Sequence, residues 1–133
     1  MHMSSKSPEL SPHQEQSYEL WLSKIKDVHD NAETRIENEL ERSVDSPNVW
    51  PSAFNTNVGV LWFSLDMLKQ YGKIHLPEYT QFITEIRELE EDTSDLFKDY
   101  PEKNSPPPQV VKDAYLNRLE TIAKKIYAAA TQK

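Results

Sequence analysis

The chain has 133 residues, of which 37% are hydrophobic and 28% are charged, so it can bury one core but has no apolar run long enough to cross a membrane. Its formal net charge of −7 argues against direct binding to nucleic acid or to an anionic membrane surface. Cysteine is absent, which excludes disulfides and favours a cytoplasmic protein, acting either in its own cell or in the cytoplasm of a host or partner.

Nine prolines divide the chain into four long blocks that contain no proline and can each form a helix. A proline inside a helix removes a backbone donor and costs about 3 kcal/mol or more, whereas the first turn tolerates it. Residues 1–10 lack periodicity, so we expect a disordered tail there, and Met1-His2-Met3 resembles a cloning remnant. Residues 11–133 are predicted to form a single helical-bundle domain.

Residues 12–44 are predicted to form the first and longest helix. Ser11, Pro12 and Gln14 form a capping-box pattern, with serine at the cap and glutamine three residues later. Apolar residues then recur every three or four positions along one stripe: Trp21, Ile25, Val28, Ala32, Ile36, Leu40 and Val44. A helix of about 30 residues is about 45 Å long, so we expect it to overhang its neighbours, bend or fray.

Residues 52–71 are predicted to form the second helix, with Ser52 as the N-cap and Gly72 at the C-terminal cap. Its core stripe consists of Phe54, Val58, Leu61, Leu65 and Leu68. Further apolar residues extend beyond that stripe: Val60, Trp62, Phe63, Met67 and Tyr71. This excess predicts either deep burial or a partner-binding surface, because aromatic residues and methionine are favoured at interface cores. Gly59 costs about 1 kcal/mol in a helix, and close packing against a neighbour would explain it.

Residues 77–100 are predicted to form the third helix, whose acidic edge lies opposite its apolar seam. Between Glu85 and Asp99 there are seven acidic and two basic residues, a local charge of −5. One interpretation is a docking stripe for a basic partner, formed by Glu85, Glu88, Asp92 and Asp95. The other is a solvated face that is partly neutralised by basic residues of the fourth helix: Lys112, Arg118, Lys124 and Lys125.

Residues 107–131 are predicted to form the fourth helix, which follows a proline-rich loop. Its apolar stripe consists of Val111, Tyr115, Leu119, Ile122, Ile126 and Ala129. No segment alternates with the two-residue period of a strand, so we expect no β-structure. Short connections favour antiparallel neighbours, and the sequence therefore predicts an all-α, antiparallel up-down-up-down four-helix bundle.

The sequence predicts no catalytic residues, no metal ligands and no cofactor. With two glycines in the chain, a glycine-rich phosphate loop is excluded, and no nucleophile motif is recognisable. We therefore expect a non-enzymatic protein–protein interaction module that acts through a helical face. Adaptors, assembly subunits, chaperones, immunity proteins and inhibitors are of this type. Its partner would be another protein or a second copy in a homodimer.

Two other functions remain open. Carboxylates of the first helix (Glu37, Glu41) could face those of the third (Glu88, Glu91, Asp92, Asp95) and hold Mg²⁺. This would give an all-α hydrolase of the nucleotide pyrophosphohydrolase type, although the order of the acids does not reproduce the paired E-E-x-x-E and E-x-x-D blocks of that group. The third possibility is an acidic inhibitor that mimics nucleic acid.

Overall fold

The computed structural model describes residues 10–42, 50–100 and 106–132. They form four helices: α1 (Pro12–Arg42), α2 (Trp50–Gln70), α3 (Leu76–Phe97) and α4 (Gln109–Thr131). These ranges contain no strand, so the predicted all-α four-helix fold is confirmed. The predicted disordered tail, except for Leu10, lies outside the described residues, as do residues 43–44 of the predicted first helix.

The helices pack in chain order around one core. Both α1 and α3 pack against α2 and α4, which also touch each other, while α1 and α3 lie on opposite sides of that central pair. In each pair of consecutive helices, residues near the start of one helix contact residues near the end of the other. Two contacts mark each pair: Tyr18–Lys73 and Arg35–Asn57 for α1 and α2, Phe54–Phe97 and Asp66–Tyr79 for α2 and α3, and Glu85–Lys125 and Asp92–Arg118 for α3 and α4. Helices that are consecutive in the chain are therefore antiparallel.

Two of the predicted helix caps are confirmed by hydrogen bonds. At the start of α1, the backbone N–H of Ser11 donates to Gln14 Oε1 (2.9 Å), and the N–H of Gln14 donates to Ser11 Oγ (3.2 Å). After α2, Gly72 adopts a positive φ of 73°, which glycine tolerates best. The Lys73 N–H then donates to Leu68 O at 2.9 Å, which closes the helix end.

The helix boundaries differ from the predicted ones by up to three residues. The predicted N-cap at Ser52 is wrong, because α2 begins two residues earlier and carries Pro51 in its first turn, where proline is tolerated. Helix α3 begins at Leu76 and ends at Phe97 instead of residue 100. Helix α4 begins at Gln109, two residues later than predicted.

The long first helix is present, but it is kinked at Asn31, whose backbone angles are not helical (φ −134°, ψ 26°). A bend was one of the three outcomes expected for a helix of this length. Polar groups bridge the kink: Asn31 Nδ2 donates to Asp27 Oδ1 (2.8 Å), and Arg35 donates to Asp27 Oδ2 (2.6 Å). The Arg35 Nε also donates to the amide oxygen of the fully buried Asn57 on α2 (2.8 Å).

An aromatic cluster fills the core where α2 begins, α3 ends and α4 begins. Phe54 stacks on Phe97 with ring centres 4.1 Å apart, and Tyr115 meets the Phe54 ring edge-on at 4.6 Å. The buried Tyr115 hydroxyl donates to the Phe54 carbonyl at 2.7 Å, and burial raises the pKa of Tyr115 well above its usual value. This cluster ties three of the four helices together.

Candidate functional site

The second helix has an unusual distribution of charge. No charged residue occurs from Trp50 to Leu65, although 28% of the chain is charged. At about 100° per residue, one arc of α2 opposite the core stripe carries Thr56, Gly59, Val60, Phe63, Met67 and Gln70. We call these six residues the outer α2 face. All of them are at least partly exposed, and none is ionisable.

The sequence-predicted residues of α2 occupy three different positions. Phe63 is 67% exposed and lies at the middle of the outer α2 face. Val60 and Met67 lie on the same face and are half-buried, Val60 being packed against the core. Trp62 is half-buried against the core on the side toward α3, and Tyr71 is half-buried at the end of the helix. The predicted apolar excess is therefore partly packed against the core and partly open surface.

Gly59 does not serve close packing against any described part of the chain, so that interpretation of the sequence is wrong. A Cβ atom built at this position meets none of the described neighbouring groups within 4 Å. The missing side chain leaves open space in the outer α2 face, here called the hollow, one helical turn before the exposed ring of Phe63. Sequence analysis did not assign Gly59, Thr56 or Gln70 to a site, although the charge-free run from Trp50 to Leu65 is visible in the sequence.

Replacing Gly59 with alanine is expected to raise the free energy of unfolding by about 0.5–1 kcal/mol. Alanine favours the helix and meets free space at this position. Urea unfolding of the two chains measures the difference. Gly72→Ala is the matched control and should be destabilising, because an L residue is strained at φ 73°. A Gly59→Ala variant that is less stable than the wild type would contradict the assignment of open space beside residue 59.

The acidic residues predicted on the third helix lie on a separate surface. Glu85 pairs with Lys125 of α4 (2.7 Å), and Asp92 pairs with Arg118 (2.6 Å). Glu88 and Asp95 are exposed and have no ion pair within the described parts of the chain. Two of the four acids are thus neutralised by α4, as the solvated-face interpretation expects.

The structure does not bring the two predicted surfaces together. The side of α3 that packs on α2 is marked by Tyr79, whose hydroxyl donates to Asp66 of α2 at 2.6 Å. The acidic edge instead lies toward α4, as the ion pairs of Glu85 and Asp92 show. The carboxylates therefore do not form a rim around the outer α2 face.

The acids of the hydrolase hypothesis lie on two helices that are not neighbours in the fold. Glu37 and Glu41 belong to α1, whereas Glu88, Glu91, Asp92 and Asp95 belong to α3, and these two helices do not pack together over their described residues. In the same ranges, no group of three or more histidine or acidic side chains is placed to hold a metal ion. The geometry gives this hypothesis no support.

The fold and its surfaces define an all-α four-helix bundle whose second helix presents an uncharged, partly apolar outer face. None of the helices, as far as the structure describes them, is long and apolar enough to span a membrane. The chain matches no protein-family model, no curated protein and no solved structure.

Proposed function

We propose that the protein is a non-enzymatic interaction module that binds a protein partner through the outer α2 face. The observation that carries this proposal is the exposure of Phe63, at 67%, in the middle of a helix face without charge. An aromatic side chain presents about 150–250 Å² of surface, so burying the exposed part is worth about 3 kcal/mol. Aromatic residues are favoured at the centre of interfaces, where the ring is removed from water.

The composition of the face supports the same proposal. Charged residues are depleted at interface cores, because their desolvation is costly. The outer α2 face contains none, and its polar members, Thr56 and Gln70, are neutral. The absence of cysteine is compatible with a module that acts in a cytoplasm, its own or that of a host or partner cell, and we include that compartment in the proposal.

Site-specific photo-crosslinking in the source cells tests this function. Replacing Phe63 by p-benzoylphenylalanine keeps an aromatic ring on the face, and we expect it to capture a protein partner on irradiation. Val110 is the matched control position, since it is an exposed apolar residue of α4 (74% exposed) that lies outside the face. Adducts from position 63 but not from position 110 support the proposal. Equal adducts from both positions, or none from position 63, would contradict it.

A further inference from the structure

We infer that the partner of the outer α2 face is a second copy of this chain, with Phe63 of each copy packed over Gly59 of the other. The inference rests on the proposed function, because it names the partner of that same surface. Three features of the face lead to it: its shape, its lack of charge and its size.

The shape of the face is self-complementary. Phe63 projects from the face, and in the hollow at Gly59 no described neighbour lies within 4 Å of the missing Cβ. The two residues are four positions apart, about 6 Å along the helix axis. A two-fold axis that passes between them places each ring over the hollow of the other copy, as an isologous interface requires. Interdigitation of the i, i+4 ridges of two helices is also the commonest mode of helix packing.

The charge distribution favours a second copy over a basic partner. Each copy carries a net charge of −7, so two copies repel unless the contact itself is free of acid. The nearest charges on α2 are directed to α3, since Asp66 accepts a hydrogen bond from Tyr79 and the Lys69 ammonium lies 4.4 Å from the centre of that ring. The acidic edge of α3 lies on the α4 side. A basic partner would find no opposite charge among the residues of the outer α2 face; the acids of α1 nearest to it, Glu39 and Glu41, lie beside Thr56 at one edge.

The size of the face predicts a weak dimer. A single helix-on-helix contact falls in the class of interfaces below about 1,200 Å², which are typically transient. We therefore expect an equilibrium between monomer and dimer that depends on concentration. Added salt should strengthen it, because salt screens the repulsion between the two acidic copies. A basic partner bound through the α3 carboxylates would show the opposite salt dependence.

Sedimentation equilibrium of the purified full chain tests the inference, over rising concentration and at low and high salt. The wild type should dimerise, more strongly at high salt. Phe63→Ala should weaken dimerisation by about 30-fold or more, the usual loss for a central interface anchor. Val110→Ala, the exposed control on α4, should dimerise like the wild type. A wild type that remains monomeric at the highest concentration reached would overturn the inference.

The Gly59→Ala variant distinguishes an effect on the dimer contact from an effect on the stability of the monomer. Filling the hollow should weaken dimerisation while it raises the melting temperature of the monomer, and no purely structural role of Gly59 gives this pair of opposite changes. Dimerisation that is unaffected by both Gly59→Ala and Phe63→Ala would overturn the inference. If position 63 crosslinks only to a different protein and the wild type is monomeric, the inference fails while the proposed function stands. If position 63 crosslinks to nothing, both fail.

Discussion

Replacing Phe54 with alanine is expected to lower the free energy of unfolding by about 3–5 kcal/mol. The side chain is only 1% exposed and stacks on Phe97 at 4.1 Å, with Tyr115 against its edge, so its loss leaves a cavity among three helices. Domains of this size have about 5–15 kcal/mol of stability in total, and the variant should retain only part of it. Urea unfolding, followed by circular dichroism, measures the loss.

Phe63→Ala is the matched control for this experiment. It removes the same ring from the same helix, but from a side chain that is 67% exposed, so unfolding of the monomer should change by no more than about 0.5 kcal/mol. The measurement is made at low concentration, where dimerisation does not contribute. Similar losses in the two variants would show that the assignment of the buried and the open sides of α2 is incorrect.

The positions of the helices could be predicted from the sequence because the signals that set them are local. Proline is excluded from helix interiors, and apolar residues recur with the helical period. Ser11 caps a helix through its own hydrogen bond, and Gly72 caps one through its backbone angle. The error at Ser52 has a local cause as well: proline is tolerated in the first turn, so Pro51 did not delay the start of α2.

The division of α2 into buried and open sides could not be predicted in the same way. Helical periodicity places Trp62 and Phe63 on adjacent sides of the helix, but it does not say which sides the neighbouring helices cover. That depends on long-range packing, in which Trp62 is packed against the core and Phe63 is left exposed. The separation of the acidic edge from the outer α2 face likewise depends on α4, which pairs with Glu85 and Asp92.

The kink in α1 was expected only as one of several outcomes of its length. The segment after the kink is held by Asn57, a residue on another helix, whose buried amide oxygen accepts a hydrogen bond from Arg35. Its amide nitrogen donates weakly to the carbonyl of Ala32, directly after the kink (3.4 Å). Polar residues that act across helices leave no periodic signal, so Asp27, Asn31 and Arg35 resemble ordinary solvated positions in the sequence.

Replacing Arg35 with methionine is expected to lower the free energy of unfolding by about 1–3 kcal/mol, the usual cost of leaving a buried polar group without its partner. The variant keeps most of the apolar stem but removes the donor to the fully buried Asn57. The lost ion pair with Asp27 adds little, because that carboxylate is 40% exposed and water screens it. Arg87→Met is the control, since Arg87 is an exposed arginine of α3.

A double-mutant cycle and a pH series distinguish the two bonds of Arg35. Replacing Asn57 as well as Arg35 should lower the free energy of unfolding by less than the sum of the two single losses, because no buried acceptor then remains unpaired.

The pH series reports on the ion pair with Asp27. The hydrogen bond from Asn31 lowers the pKa of Asp27, and the hydrogen bond and positive charge of Arg35 lower it further. The ion pair therefore stabilises the fold above the unfolded pKa of an aspartate, and that contribution is lost as the pH falls through the folded pKa of Asp27. The difference in free energy of unfolding between the wild type and Arg35→Met should become slightly smaller at acidic pH, while the larger part, which is due to Asn57, remains. A difference that disappears at acidic pH would instead assign the whole effect to the ion pair.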